Sequence, residues 1–80
     1  MGARWEQTGS GLLWIAPSGR KWSARQDVIG GYWYLYCNGE QVKSHGRVRR
    51  RLWWRHAGPA TFEAEFREEK RAALKEPGNG

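Results

Sequence analysis

Turn signals at short, regular spacing are the strongest constraint on how this chain can fold. Ala16-Pro17-Ser18-Gly19 suits a type I turn, with Pro at its second position and Gly at its fourth. Gly30-Gly31 and Asn38-Gly39 are two-residue hairpin signals, because glycine and asparagine tolerate positive φ. The segments between them are rich in aromatic and β-branched residues, which predicts strands over 11–16, 20–28, 32–37 and 40–43.

Alternation orients these strands. In the third, Tyr32, Tyr34 and Tyr36 share one face, and Trp33, Leu35 and Cys37 share the other. The second face is the more apolar and should meet the core. The tyrosine face could stack bases, as sheets do in RNA-binding domains, but core or half-core packing, for instance under the C-terminal helix, is the stronger expectation for it. In the second strand Trp22, Ala24 and Val28 fall together, opposite Ser23, Arg25 and Asp27. The first strand, Leu12 to Ala16, is apolar on both faces.

The end of the chain reads as a helix. Gly58-Pro59 should close what precedes it, and Thr61 is a reasonable N-cap. Glu63 and Glu65 then sit in the first turns, where the helix dipole favours acids. Phe62, Phe66, Ala73 and Leu74 recur at helical spacing. Their stripe should bury against the sheet, the only large apolar surface available. Pro77-Gly78 stops the helix. These elements predict an α+β fold: a small antiparallel sheet of three to five strands followed by one C-terminal helix, or a small half-open barrel with the helix as an appendage. Residues 1–77 make one basic domain, and 78–80 a disordered tail.

The segment 47–56 carries the charge. It holds five arginines and no acid, against a net charge of +6 for all 80 residues. As a strand it places Arg47, Arg49, Arg51, Trp53 and Arg55 on one face and Val48, Leu52 and Trp54 on the other. As a helix it gathers Arg47, Arg50, Arg51, Trp54 and Arg55. The preceding hairpins and the aromatic content favour the strand. Arginine forks match phosphate oxygens bidentately, and a neighbouring Trp can stack on a base or anchor a protein interface. Lys21 and Arg25 would extend the patch.

In outline, over residues 12–75, strands followed by a helix, with Lys21-Trp22-Ser23-Ala24-Arg25 on a hairpin strand, resemble the arm-type DNA-binding domains of tyrosine integrases. Those domains place a three-stranded sheet in the major groove. The likeness is one of architecture, without a specific motif, and the element at 47–56 departs from it.

Other chemistry finds little support. Cys37 is the only cysteine, which excludes an intrachain disulfide and suits a reducing cytoplasm. With His45 and His56 it falls short of a four-ligand zinc site. His45 is expected in a loop and Cys37 as a small apolar residue of a strand. No long apolar run marks a signal peptide or a membrane span, and no cofactor is implied. The expectation is a non-enzymatic, cytoplasmic accessory or regulatory protein that binds nucleic acid, with duplex DNA as the favoured partner. A small, basic, Trp-rich domain of this kind suits a phage or mobile element. The rival expectation is a protein-interaction module, an inhibitor or adaptor, docking through Trp53 or Trp54 with arginines against an acidic surface. Attachment to an anionic membrane surface ranks last, because the Arg/Trp segment lies inside a folded domain.

Overall fold

The computed structural model describes residues 4–75. Six strands and one helix follow in order: β1 Glu6–Gln7, β2 Gly11–Ile15, β3 Lys21–Gln26, β4 Trp33–Cys37, β5 Glu40–Gln41, β6 Trp53–Trp54 and α1 Ala57–Lys75. The strands form one antiparallel sheet in the order β1-β2-β3-β4-β5, and β6 pairs with the half of β4 that β5 leaves free. The fold is therefore α+β, an antiparallel sheet followed by a single C-terminal helix.

The turns explain the register. Gly19 N–H donates to the Ala16 carbonyl at 2.8 Å, and Gly19 takes a φ of 94°, so Pro17-Ser18-Gly19 forms a type I turn closed by a left-handed residue. Asn38 and Gly39 both have positive φ, 52° and 88°, as a two-residue type I′ hairpin demands. Gly30-Gly31 does not behave as expected. The hairpin closes instead from Asp27 N–H to the Tyr32 carbonyl, at 2.7 Å. The Asp27 carboxylate accepts Gly30 N–H at 3.0 Å, an Asx-type turn that ends β3 at Gln26. Val28, expected on one strand face with Trp22 and Ala24, instead lies beyond the end of β3 and is exposed at the tip beside Ile29.

One face of the sheet meets the helix. Trp14, Trp22, Ala24 and Leu35 are buried there, together with Val42. Trp33, Cys37, Leu52 and Trp54 pack around them. Trp5 closes one side, its ring 5.4 Å from that of Trp14 and its indole N–H donated to Glu65 at 2.8 Å.

The helix differs from expectation at its start and in its buried face. It begins at Ala57, not after Thr61. Pro59 lies in its first turn, where a missing N–H costs nothing because no intrahelical acceptor exists for it. The Thr61 hydroxyl donates back to the Gly58 carbonyl at 2.9 Å rather than capping a new helix. The first turn accordingly holds no acid. Ala60, Ala64 and Glu68 face the sheet, while Phe62, Phe66 and Leu74 are exposed. Small residues win this face because large rings already fill the sheet side, so the helix backbone can approach closely. Phe62 and Phe66 stack on the outside with ring centroids 6.4 Å apart. Phe66→Ala should therefore cost no more than about 1 kcal/mol, rather than the roughly 3–5 kcal/mol of a core phenylalanine. Urea denaturation of the variant measures this directly. The helix stop at Pro77-Gly78 and the tail lie outside the described residues.

Candidate nucleic-acid interface

The helix covers only one face of the sheet, and the opposite face is the one that carries the tyrosines. The register sets them on the face away from the helix rather than under it, though Tyr34 and Tyr36 are half-buried there. Trp22 and Ala24 pair with Cys37 and Leu35 on the helix side, which turns Ser23, Arg25, Tyr34 and Tyr36 outward. One row across this face runs Trp53, Tyr34, Arg25, Gly11. The next runs Gln41, Tyr36, Ser23, Leu13, Glu6. Lys21 follows opposite Ile15. Tyr32 reaches the Trp53 ring edge-on at 4.6 Å, and the Arg25 guanidinium lies 5.9 Å from the centre of the Tyr36 ring. Trp53 remains 50% exposed. Gly11 has a steric role: a Cβ there would run into the Ala24 carbonyl.

Around the edge formed by β5, a second feature opens on the helix side. An open groove of about 1140 Å³ lies between the helix and residues 40–51. That exceeds the roughly 300–1,000 Å³ of small-molecule pockets, so an extended ligand fits it better. Trp22, Cys37 and Val42 lie along it. Its cations come from separate parts of the chain: Arg20 beside the first turn, Lys43, Arg49 and Arg51 along the edge, and Arg67, Lys70 and Arg71 on α1. Two carboxylates, Glu40 and Glu68, oppose these seven cations, so the groove holds five of the six net positive charges. Among the described residues only Arg67 of this set is ion-paired, with Glu63 at 2.7 Å.

The sequence-predicted residues divide between these regions. Trp53, Arg25 and Lys21 lie on the helix-free face. Arg49 and Arg51 line the groove. Arg47 and Arg55 are exposed but belong to neither. Segment 47–56 is not the continuous strand expected. Only Trp53–Trp54 and an isolated bridge from Arg51 to Lys43 pair. Residues 45–49 instead form a loop closed by Ser44, whose N–H donates to the Arg50 carbonyl at 2.7 Å and whose hydroxyl accepts Arg50 N–H at 3.0 Å. Gly46, with a φ of 109°, makes the reversal, and Val48 is left exposed rather than inward. Leu52 and Trp54 do pack on the core. Sequence reasoning missed Arg20, Lys43, Arg67, Lys70 and Arg71. The last three were detectable, since positions i, i+3 and i+4 share a helix face.

Among the described residues no group of three or more His, Cys, Asp or Glu could hold a metal ion. No described helix is long and apolar enough to cross a membrane. In comparisons with known proteins, no family model, no curated protein and no solved structure matches the chain. These comparisons lend no support to the outline likeness to arm-type integrase domains.

Proposed function

We propose that this chain is a nucleic-acid-binding domain that acts by binding rather than by catalysis. The observation that carries this reading is the groove, where folding brings seven cationic side chains together against two carboxylates. Gathering like charges costs free energy, which counterions offset in the free protein. When these cations neutralise phosphates, the counterions condensed on the nucleic acid are released to solution, a favourable step that weakens as salt rises. The aromatic and basic face on the other side of the same edge adds a second surface suited to nucleotides.

The competing reading is a protein-docking module. The exposed Phe62–Phe66 stack favours it, because exposed aromatics can anchor interfaces. Trp54 is a poor anchor, being packed on the core.

A salt titration separates the two. Arg49 and Arg51 both line the groove, so changing both to Ala should flatten the slope of log affinity against log salt by about two and weaken all sequences alike. Absence of binding to duplex, single strand and RNA at physiological salt would remove the nucleic-acid reading and leave protein docking.

A further inference from the structure

We propose that the ligand is a single strand with unpaired bases, which stack on Tyr34, Tyr36 and Trp53 while the phosphate backbone passes over the β5 edge into the groove. The inference rests on the nucleic-acid reading above and specifies its ligand.

Three observations converge on it. The first is the chemistry of the helix-free face, which is aromatic along β4 and β6, toward the β5 edge. Tyr34 and Trp53 are cross-strand partners in one row, and Tyr36 stands in the next. Trp53 is exposed and Tyr34 and Tyr36 are half-buried, so these rings still present π-surface to solvent. Bases inside a duplex have their own faces covered by neighbouring pairs and cannot meet them, whereas unpaired bases can.

The second observation is spacing. Tyr34 and Tyr36 are two residues apart on β4, which separates them by roughly 6.8 Å at the antiparallel rise of about 3.4 Å per residue. Stacked bases of a duplex repeat at about 3.4 Å along each strand, half of this distance. A single strand splays its bases and adapts to the wider interval.

The third is the position of the charge. The rings are on the helix-free face, and five of the six net charges lie around the edge on the helix side. Lys43 and Arg51, bridged to each other, mark the passage between the two. A duplex lying on the face is stiff, with a persistence length of about 50 nm, and cannot fold over that edge. A single strand can, so one ligand reaches both the rings and the cations of the groove. On the face itself the one carboxylate in the paired rows is Glu6, at the far β1 edge.

The test is fluorescence anisotropy at physiological salt with a labelled oligo(dT), an oligo(U) of the same length and a duplex of mixed sequence. A single strand should bind at least tenfold tighter than the duplex. Trp53→Ala and Tyr34→Leu should each weaken single-strand binding by about 5- to 150-fold, the range of one lost base stack, and leave the salt slope unchanged. The leucine keeps apolar bulk where Tyr34 is half-buried, and far-UV circular dichroism checks the fold of both variants. A preference between oligo(dT) and oligo(U), which differ in the sugar 2′-hydroxyl and in the base methyl, supports the proposal either way. Equal or tighter binding of the duplex, or unchanged single-strand affinity in both variants, overturns the inference while the nucleic-acid reading stands. A concentration-dependent dimer that Trp53→Ala dissociates also overturns it, since a second copy would then cover the face. Failure of all three ligands to bind the wild type defeats both readings together.

Discussion

Leu35→Ala should lower the stability of this domain by about 2–5 kcal/mol. A chain of this size has a total stability of roughly 4–12 kcal/mol, so the loss is a large share of what is available. Leu35 is fully buried, at the middle of β4. It faces Ala24 on β3, and its carbonyl accepts Val42 N–H at 2.8 Å. Its surroundings make the deletion costly. Among the described residues, four of the eight buried apolar ones are alanines, at positions 16, 24, 60 and 64. They have no side-chain length with which to collapse into a vacated space, and the neighbouring tryptophans are rigid. The cavity therefore stays open, which is the condition under which a leucine deletion reaches the upper part of its range. In urea the midpoint should fall and the m-value should stay constant. An unchanged midpoint would mean that the helix does not close over Leu35.

Part of this architecture is legible in the residues, for identifiable reasons. Asn38-Gly39 and Pro17-Ser18-Gly19 specify their turns because the backbone angles are properties of those residues alone. The strands between follow, and alternation in β4 puts Trp33, Leu35 and Cys37 toward the core. The helix is harder to read. Its most apolar stripe, Phe62 and Phe66, points to solvent, while Ala60, Ala64 and Glu68 face the sheet. Hydrophobicity alone ranks these faces in the wrong order. The deciding factor is volume, since a sheet already lined by large aromatic rings accepts a helix face of small residues. The groove was hidden for another reason. Arg20, Lys43, Arg49 and Arg67 are distant in sequence, and only the return of the helix along the sheet brings them together. The run of arginines at 47–51 marks the basic character of the chain, but a loop closed by Ser44 redirects it, and no periodicity foretells that.

Trp22 and Glu68 form the contact whose removal should link stability to binding. Trp22 is 2% exposed, and its indole N–H donates to the Glu68 carboxylate at 2.7 Å, joining β3 to the helix across 46 residues of sequence. Glu68 is itself buried, an unusual place for a carboxylate unless it is held by donors. Trp22→Phe keeps an aromatic ring in the core but removes the donor, so the carboxylate loses a partner that water cannot fully replace. A hydrogen bond to a charged group contributes about 1.5–3 kcal/mol, and the shrinkage of the ring adds to that loss. Glu68→Gln retains an acceptor and should be milder. Glu68→Leu removes the acceptor and leaves the indole N–H unsatisfied. In a double-mutant cycle, Trp22→Phe with Glu68→Leu should therefore be less damaging than the sum of the singles, with a coupling of about 1.5–3 kcal/mol. Strict additivity would show that the bond contributes nothing. The same pair fixes one wall of the basic groove, because Trp22 and Glu68 border it beneath Arg67, Lys70 and Arg71. Releasing the helix at this point should loosen all three cations at once. Folded Trp22→Phe protein is thus expected to bind nucleic acid more weakly without any change in charge, and its salt slope should stay closer to wild type than that of the Arg49/Arg51 double variant.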